Sequence, residues 1–198
     1  MSKLGKFDVI GLLQEHCAIL NGHFQLPSGF HTQTYIQTSL VMQYPNLAQK
    51  VAKEMASKFA VEINVVISPS VGSMSIGQEI ARVKKARSIF TERINGVMVL
   101  KRDFKIAEGE RALIVDDVLN TGRLCSEAIN LARGYGAKVI GVVAIVDRST
   151  ADLTLNVPVR GLISYPLQLF TPDNCPLCKQ KMPLTIPGST VHQAHPEG

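Results

Sequence analysis

The stretch RALIVDDVLNTGRLCSEAI, residues 111–129, holds the side chains best arranged for chemistry. An apolar run, Ala112 to Val115, leads into two adjacent acids, Asp116 and Asp117, then a short polar turn containing Gly122 and an amphipathic helical pattern. A strand, turn and helix in this order deliver free backbone N–H groups and the positive end of a helix dipole to the carboxyl edge of a sheet, where anions bind. A phosphate would sit over Asn120 to Leu124. The two acids would repel it, so their expected partners are hydroxyls, a metal ion or developing positive charge. A phosphorylated ribose supplies hydroxyls and an anion together. Two acids ahead of a helix also complement its dipole, worth about 0.3–1 kcal/mol, and that simpler role is open on these residues alone. Neither GxxxxGK[ST] nor GxGxxG occurs, which removes the P-loop and the dinucleotide fingerprint.

The elements that would position this unit can be read from apolar periodicity. Ile10, Leu13, Cys17 and Leu20 predict a first helix over 7–20. GHFQLPSGFHTQTYIQ, 22–37, suits two short strands around a turn at Ser28-Gly29. Pro45 opens a helix to about Phe59, with Leu47, Val51, Met55 and Phe59 on one face. From Asn64 onward, short Val- and Ile-rich runs alternate with helical stretches, as in NVVIS, SIGQEIARV, RSIFTE, GVMVL, RALIV, CSEAINLARGYG and KVIGVVAIV. Unalternated β-branched runs are strands covered on both faces, so the fold class is α/β with a parallel sheet. A Pro-containing tail follows from about Pro172.

Composition narrows the class. With 198 residues, 45% hydrophobic and 19% charged, the chain is expected to form one globular domain, not a disordered tail. Its longest apolar run, Val139 to Val146, is far short of the roughly 20 residues that span a bilayer. The start MSKLGKFDVI lacks an export signal, and four cysteines are too few for a disulfide framework, so a reducing cytoplasm is expected. A net charge of +5 favours anionic partners. The basic residues are dispersed and no helix-turn-helix extension precedes the fold, so nucleic acid is not expected among them.

The segment around Asp116 and Asp117 resembles the phosphoribosyl diphosphate (PRPP) motif of type I phosphoribosyltransferases. Three further segments are similar to orotate phosphoribosyltransferases in particular: GHFQLPSGFHTQTY (22–35) to the hood, SPSVGSMSIG (68–77) to the pyrophosphate loop, and CPLCKQKMPLTIPGS (175–189) to the ending of one bacterial and archaeal branch. The resemblance implies a single phosphoribosyltransferase domain over 1–198, a parallel sheet flanked by helices, with a hood formed mainly by 1–40 and the tail 165–198.

It further implies that Asp116 and Asp117 contact the ribose hydroxyls and favour an oxocarbenium-like transition state. Val118 and Leu119 lead into the phosphate site, and Thr121, Gly122, Arg123 and Leu124 hold the 5′-phosphate through backbone N–H groups. Asn120, where the family usually has threonine, and Arg148 in AIVDRST would contact orotate; a guanidinium suits a planar anion because it bonds as a fork. Ser28 and Tyr35 match positions lining the base pocket, with Pro27 replacing a lysine found in some relatives. Ser70, Val71, Gly72 and Ser73 match the pyrophosphate loop. TERINGVMVLKRDFKIAEGER resembles the mobile catalytic loop, which makes Arg93, Lys101 and Arg102 candidates for pyrophosphate contact; a solvated basic hairpin is the plainer alternative for each. Arg123 and Leu124 are bulkier than usual, and Ser68 and Ser73 stand at usual glycine positions.

The implied reaction is displacement of pyrophosphate from C1 of PRPP by N1 of orotate, with Mg2+ bound alongside PRPP and a homodimer as the assembly. A non-catalytic PRPP sensor on the same fold, and a phosphoribosyltransferase for another base, are the alternatives. Cys175-x2-Cys178 is followed by His192 and His195, but H-x2-H is one residue short of the usual zinc spacing and no strand and helix separate the pairs. Zinc held by these four residues is one hypothesis, and the plainer reading is two thiols in an ordered tail with the two histidines in a frayed end.

Overall fold

The computed structural model describes residues 7–26, 28–149, 153–166 and 168–187. In chain order these form α1 (Val9–Glu15), β1 (Ile19–Gln25), β2 (His31–Ile36), α2 (Ser39–Met42), α3 (Pro45–Ser57), β3 (Val65–Ser68) and α4 (Val71–Lys84). There follow β4 (Arg87–Phe90), β5 (Glu92–Ile94), β6 (Val97–Val99), β7 (Arg111–Leu119), α5 (Arg123–Gly134), β8 (Lys138–Asp147), β9 (Val159–Ser164) and α6 (Pro176–Lys179). The chain divides into two compact units: Met1–Ala18 with Thr38–Pro166, and Ile19–Gln37 with Leu167–Gly198.

The first unit is built on a five-stranded sheet of order β4-β3-β7-β8-β9 in which every pairing is parallel. Its central strands are covered on both faces: Val65, Val66 and Ile67 of β3, Ala112–Val115 of β7 and Val142–Val146 of β8 are all buried. The α4 helix packs on β3 and β7 with α3 beside it, while α5 packs on β7 and β8. Ile114, Cys125, Ile129, Val142 and Met98 belong to one core that joins α5 and the β5–β6 hairpin to the sheet. Gly141 has a packing reason: a Cβ there would lie 2.5 Å from the Phe59 ring, so only hydrogen lets the end of the α3 segment seat against β8. Asn95 and Gly96, both at positive φ, form the tight turn of the β5–β6 hairpin.

Two sequence expectations need correction here. The first helix stops at Glu15, because Cys17 turns the chain through φ 52° and Leu20 pairs with Tyr35 in a sheet ladder. Spacing alone could not reveal that competing ladder. The strand expected over Ala112–Val115 continues to Leu119, since Asp116, Val118 and Leu119 pair with Ala144, Val146 and Asp147 of β8. Both acids therefore lie on a strand and not in the turn.

The second unit is the antiparallel β1–β2 hairpin with a C-terminal segment. The hairpin carries a register irregularity between Asn21 and Phe24 and reverses through Gly29 at φ 85°. The C-terminal segment adds bridges from Phe170 to His31 and from Thr185 to Phe24, with a 3-10 turn (Pro172–Asn174) and α6 between them. Residues 170–187 are thus tied to the hairpin, while His192 and His195 lie outside the described residues.

Candidate active site

Consecutive residues on a strand face opposite sides of the sheet, and this separates the two acids. Asp116 shares its face with Ala112 and Ile114 and meets α5: the residue is 5% exposed and its carboxyl accepts from the Cys125 thiol at 3.6 Å. Burial, then the charge of Asp117, pushes the Asp116 carboxyl up to about 8. The Cys125 thiol is also pushed up, by burial first and then by Asp116, and stays a protonated donor. Asp116 Oδ1 also accepts the Asp117 backbone N–H at 3.1 Å. Asp117 faces the α4 side and is half-buried. Its Oδ2 accepts the Thr38 hydroxyl at 2.6 Å and would lie 3.0 Å from a Cβ placed on Gly72. Thr38, which sequence reasoning missed, is itself buried.

The turn after β7 is short. Gly122 sits at φ 70° as the N-cap of α5, and a Cβ there would come within 2.5 Å of Leu153. No side chain caps this helix, so its first N–H groups have no side-chain acceptor of the capping kind. The bulk at 123 and 124 does not cover them: the Arg123 side chain is 78% exposed and pairs with Glu127 at 3.0 Å, while Leu124 is partly buried against the core. Asn120 Oδ1 is buried without a hydrogen-bond partner among the described residues. An unsatisfied buried acceptor costs about 1–3 kcal/mol, a cost that a donor on a ligand would relieve.

The start of α4 is arranged differently. Ser70 and Ser73 form a reciprocal capping box, and Ser68 donates to the Ser73 carbonyl at 3.1 Å. The serines at usual glycine positions are therefore spent on fixing the loop, which holds Gly72 against Asp117 and leaves Val71 86% exposed. Asp117, Thr38 and Gly72 meet at the carboxyl end of β7, and the uncapped α5 starts shortly after that strand, at Arg123.

Residues 45–163 match the model of the phosphoribosyl transferase domain family. The chain is 41% identical to the orotate phosphoribosyltransferase of Caldicellulosiruptor bescii, over 94% of this chain and 98% of that one. It is 42% identical to that of Thermoanaerobacter sp. strain X514, over 93% and 97%. It belongs to the orotate phosphoribosyltransferase family. The fold agrees with the crystal structure of orotate phosphoribosyltransferase from Aeropyrum pernix, at a TM-score of 0.68 and 22% identity over 79% of this chain and 93% of that one. The adenine phosphoribosyltransferase of Rhodothermus marinus shares the fold at 0.60 and 20% identity, over 79% and 98%.

The remaining residues matched to the family by motif are distributed as follows. Arg148, just past β8, is 3% exposed, with its Nε donating to the Tyr165 carbonyl at 3.3 Å and its guanidinium 5.6 Å from that ring's centre. Arg93 on β5 is paired with Glu127 of α5 at 2.6 Å, so one carboxylate receives both Arg93 and Arg123. Burial alone would raise Glu127, but hydrogen bonds from Arg123 and Arg93 hold it below the ordinary value. Arg102 pairs with Glu92 at 2.9 Å and lies over the Phe90 ring, and Lys101 is exposed beyond β6. Ser28 and Tyr35 belong to the hairpin unit, Ser28 exposed at its turn and Tyr35 with its ring 5.8 Å from that of Phe24.

Proposed function

We propose that this chain transfers the 5-phosphoribosyl group of PRPP to orotate, giving orotidine 5′-monophosphate and pyrophosphate. The bond from C1 to the pyrophosphate oxygen breaks, the bond from C1 to N1 of orotate forms, and N1 gives up its proton. Family membership over nearly the whole chain supports the reading, and one geometric observation carries the chemistry: a half-buried carboxylate, Asp117, lies beside the Gly72 loop on the strand that leads into an uncapped helix start.

The α5 N–H groups would take the 5′-phosphate, and Asp117 would accept from the ribose hydroxyls and oppose the positive charge that develops at C1. Asp116 would act behind it, holding the Asp117 backbone through its carboxyl. The loop at 70–73 would face the leaving pyrophosphate with backbone and small side chains. Asn120 Oδ1 would gain a donor from the sugar or base. Mg2+ would arrive with PRPP, because Asp116 and Asp117, on opposite faces of β7, do not form a ligand set by themselves; bound to the diphosphate it would neutralise the leaving group. Arg93 and Lys101 would reach the pyrophosphate from the β5–β6 hairpin, and Arg148 would serve the base. No helix among the described residues is long and apolar enough to cross a membrane; a cytoplasmic homodimer completes the proposal, and light scattering at micromolar concentration checks the dimer.

Pyrophosphate release from PRPP, orotate and Mg2+ tests the reading. Turnover with orotate and not with uracil, adenine or hypoxanthine is the expected result. Tight PRPP binding without pyrophosphate release would make the chain a sensor, and turnover only with another base would reassign the substrate.

A further inference from the structure

His23 on β1, His31 at the start of β2, Cys175 at the N-cap of α6 and Cys178 within α6 meet in the second unit, with one ligand atom from each lying within 4.8 Å of all the others. Residues up to 155 positions apart in the chain thus converge on one point. His23 Nε2 lies 2.9 Å from His31 Nδ1, 3.5 Å from Cys175 Sγ and 3.7 Å from Cys178 Sγ, and Cys178 Sγ lies 3.3 Å from His31 Nδ1. Tetrahedral zinc with two nitrogen and two thiolate ligands has edges of about 3.3–3.8 Å, given bonds of roughly 2.0–2.1 and 2.3 Å. The four separations above, 2.9–3.7 Å, lie close to those edges, and the other pairs of ligand atoms are within 4.8 Å.

The orientation of His23 is fixed from behind. Its Nδ1 lies 2.9 Å from the Met182 carbonyl, which can only accept, so Nδ1 carries the proton and the Nε2 lone pair points at the cluster. This is the backing that metal-binding histidines regularly have. His23, His31 and Cys175 are buried, while Cys178 is exposed and provides a way in for an ion.

The unit also has a reason to need a staple. A two-stranded hairpin is marginally stable by itself, and the large apolar side chains buried here are few: Phe24, Leu26, Ile36 and Leu177. An ion at the cluster would join both strands of the hairpin to the C-terminal segment.

We propose that the second unit holds one Zn2+ ion bound by His23 Nε2, His31 Nδ1, Cys175 Sγ and Cys178 Sγ. Four protein ligands close the tetrahedron, so the ion is structural and takes no part in phosphoribosyl transfer. The Cys175-x2-Cys178 pair is completed by the hairpin histidines and not by His192 and His195, the pairing the sequence suggests first. Softness of the donor set selects zinc over the Mg2+ that accompanies PRPP.

The test is metal analysis of the full chain purified without chelator, together with Co2+ replacement. One zinc per chain is expected, along with a Co2+ form showing the strong visible bands of a tetrahedral site and thiolate-to-cobalt charge transfer. His31→Ala and Cys178→Ser should each lose stoichiometric metal, whereas the His192→Ala, His195→Ala double variant should keep it. A strong chelator should lower the wild-type melting temperature and leave that of Cys178→Ser unchanged. Wild-type protein with no stoichiometric zinc and no tetrahedral Co2+ spectrum would overturn the proposal even if the variants fail to fold. Loss of metal from the double variant with retention in His31→Ala would overturn the ligand assignment.

Discussion

The Thr38 hydroxyl donates to Asp117 Oδ2 across 2.6 Å, joining the chain just ahead of α2 to the carboxyl end of β7. The two residues are 79 positions apart, and Thr38 does not cap α2 with its side chain, so the hydroxyl is free to serve the acid. A hydrogen bond to a charged group is worth about 1.5–3 kcal/mol, roughly 10- to 150-fold in rate. Thr38→Val keeps the shape and removes the donor. We expect kcat/KM for PRPP to fall by about tenfold or more, with Thr38→Ser recovering most of it. Unchanged kinetics in the valine variant would remove Thr38 from the site.

The glycines at 72 and 122 should separate activity from stability. Gly122 combines φ 70° with a Cβ position 2.5 Å from Leu153, so Gly122→Ala is expected to destabilise by about 1–3 kcal/mol. For a chain of this size that is a melting temperature lower by roughly 2–12 °C. Gly72 has no positive φ, and its Cβ would press on Asp117 Oδ2 at 3.0 Å. Gly72→Ala should therefore melt near the wild-type temperature but lose turnover. Thermal scans and steady-state kinetics on the same two preparations decide the matter.

These relationships were unequally legible in the sequence. The strand, turn and helix around Asp116 could be read because its signals are local: an apolar run, a glycine and a 3.6-residue pattern. The opposite facing of Asp116 and Asp117 follows from strand alternation, but only once β7 is seen to continue to Leu119, and that continuation depends on pairing with β8. Thr38, His23 and His31 carry no local mark, since each takes its partners from segments far along the chain. Arg123 and Leu124 looked obstructive in sequence; on a helix their side chains leave the backbone N–H groups, toward Glu127 and the core.

The Glu127 contact bears on the β5–β6 hairpin. Glu127 receives both Arg93 and Arg123. Partly exposed pairs of this kind contribute only about 0–1 kcal/mol, which makes the latch easy to release. Glu127→Gln should barely change the melting temperature, increase amide exchange over 92–99 and retain turnover, whereas Arg93→Ala should lose turnover. Equal losses in both variants would mean that Arg93 acts only by docking the hairpin.

Asp116 gives the ligand-free protein a pH dependence of definite sign. Its carboxyl moves from an ordinary 3.8 up to about 8 on folding, chiefly through burial and then through Asp117. Between those values the folded state binds more protons than the unfolded state, so stability must fall as pH rises through that window. The contribution is fully present below about pH 4 and is lost by the time pH passes roughly 8. Asp116→Asn stays neutral throughout and preserves size, so its melting temperature should rise relative to wild type as pH increases from 5 to 9. Melting curves of both proteins at matched ionic strength measure this directly. A constant difference across that range would mean that Asp116 does not hold its proton in the folded chain, and that the charge of Asp117 is not what it responds to.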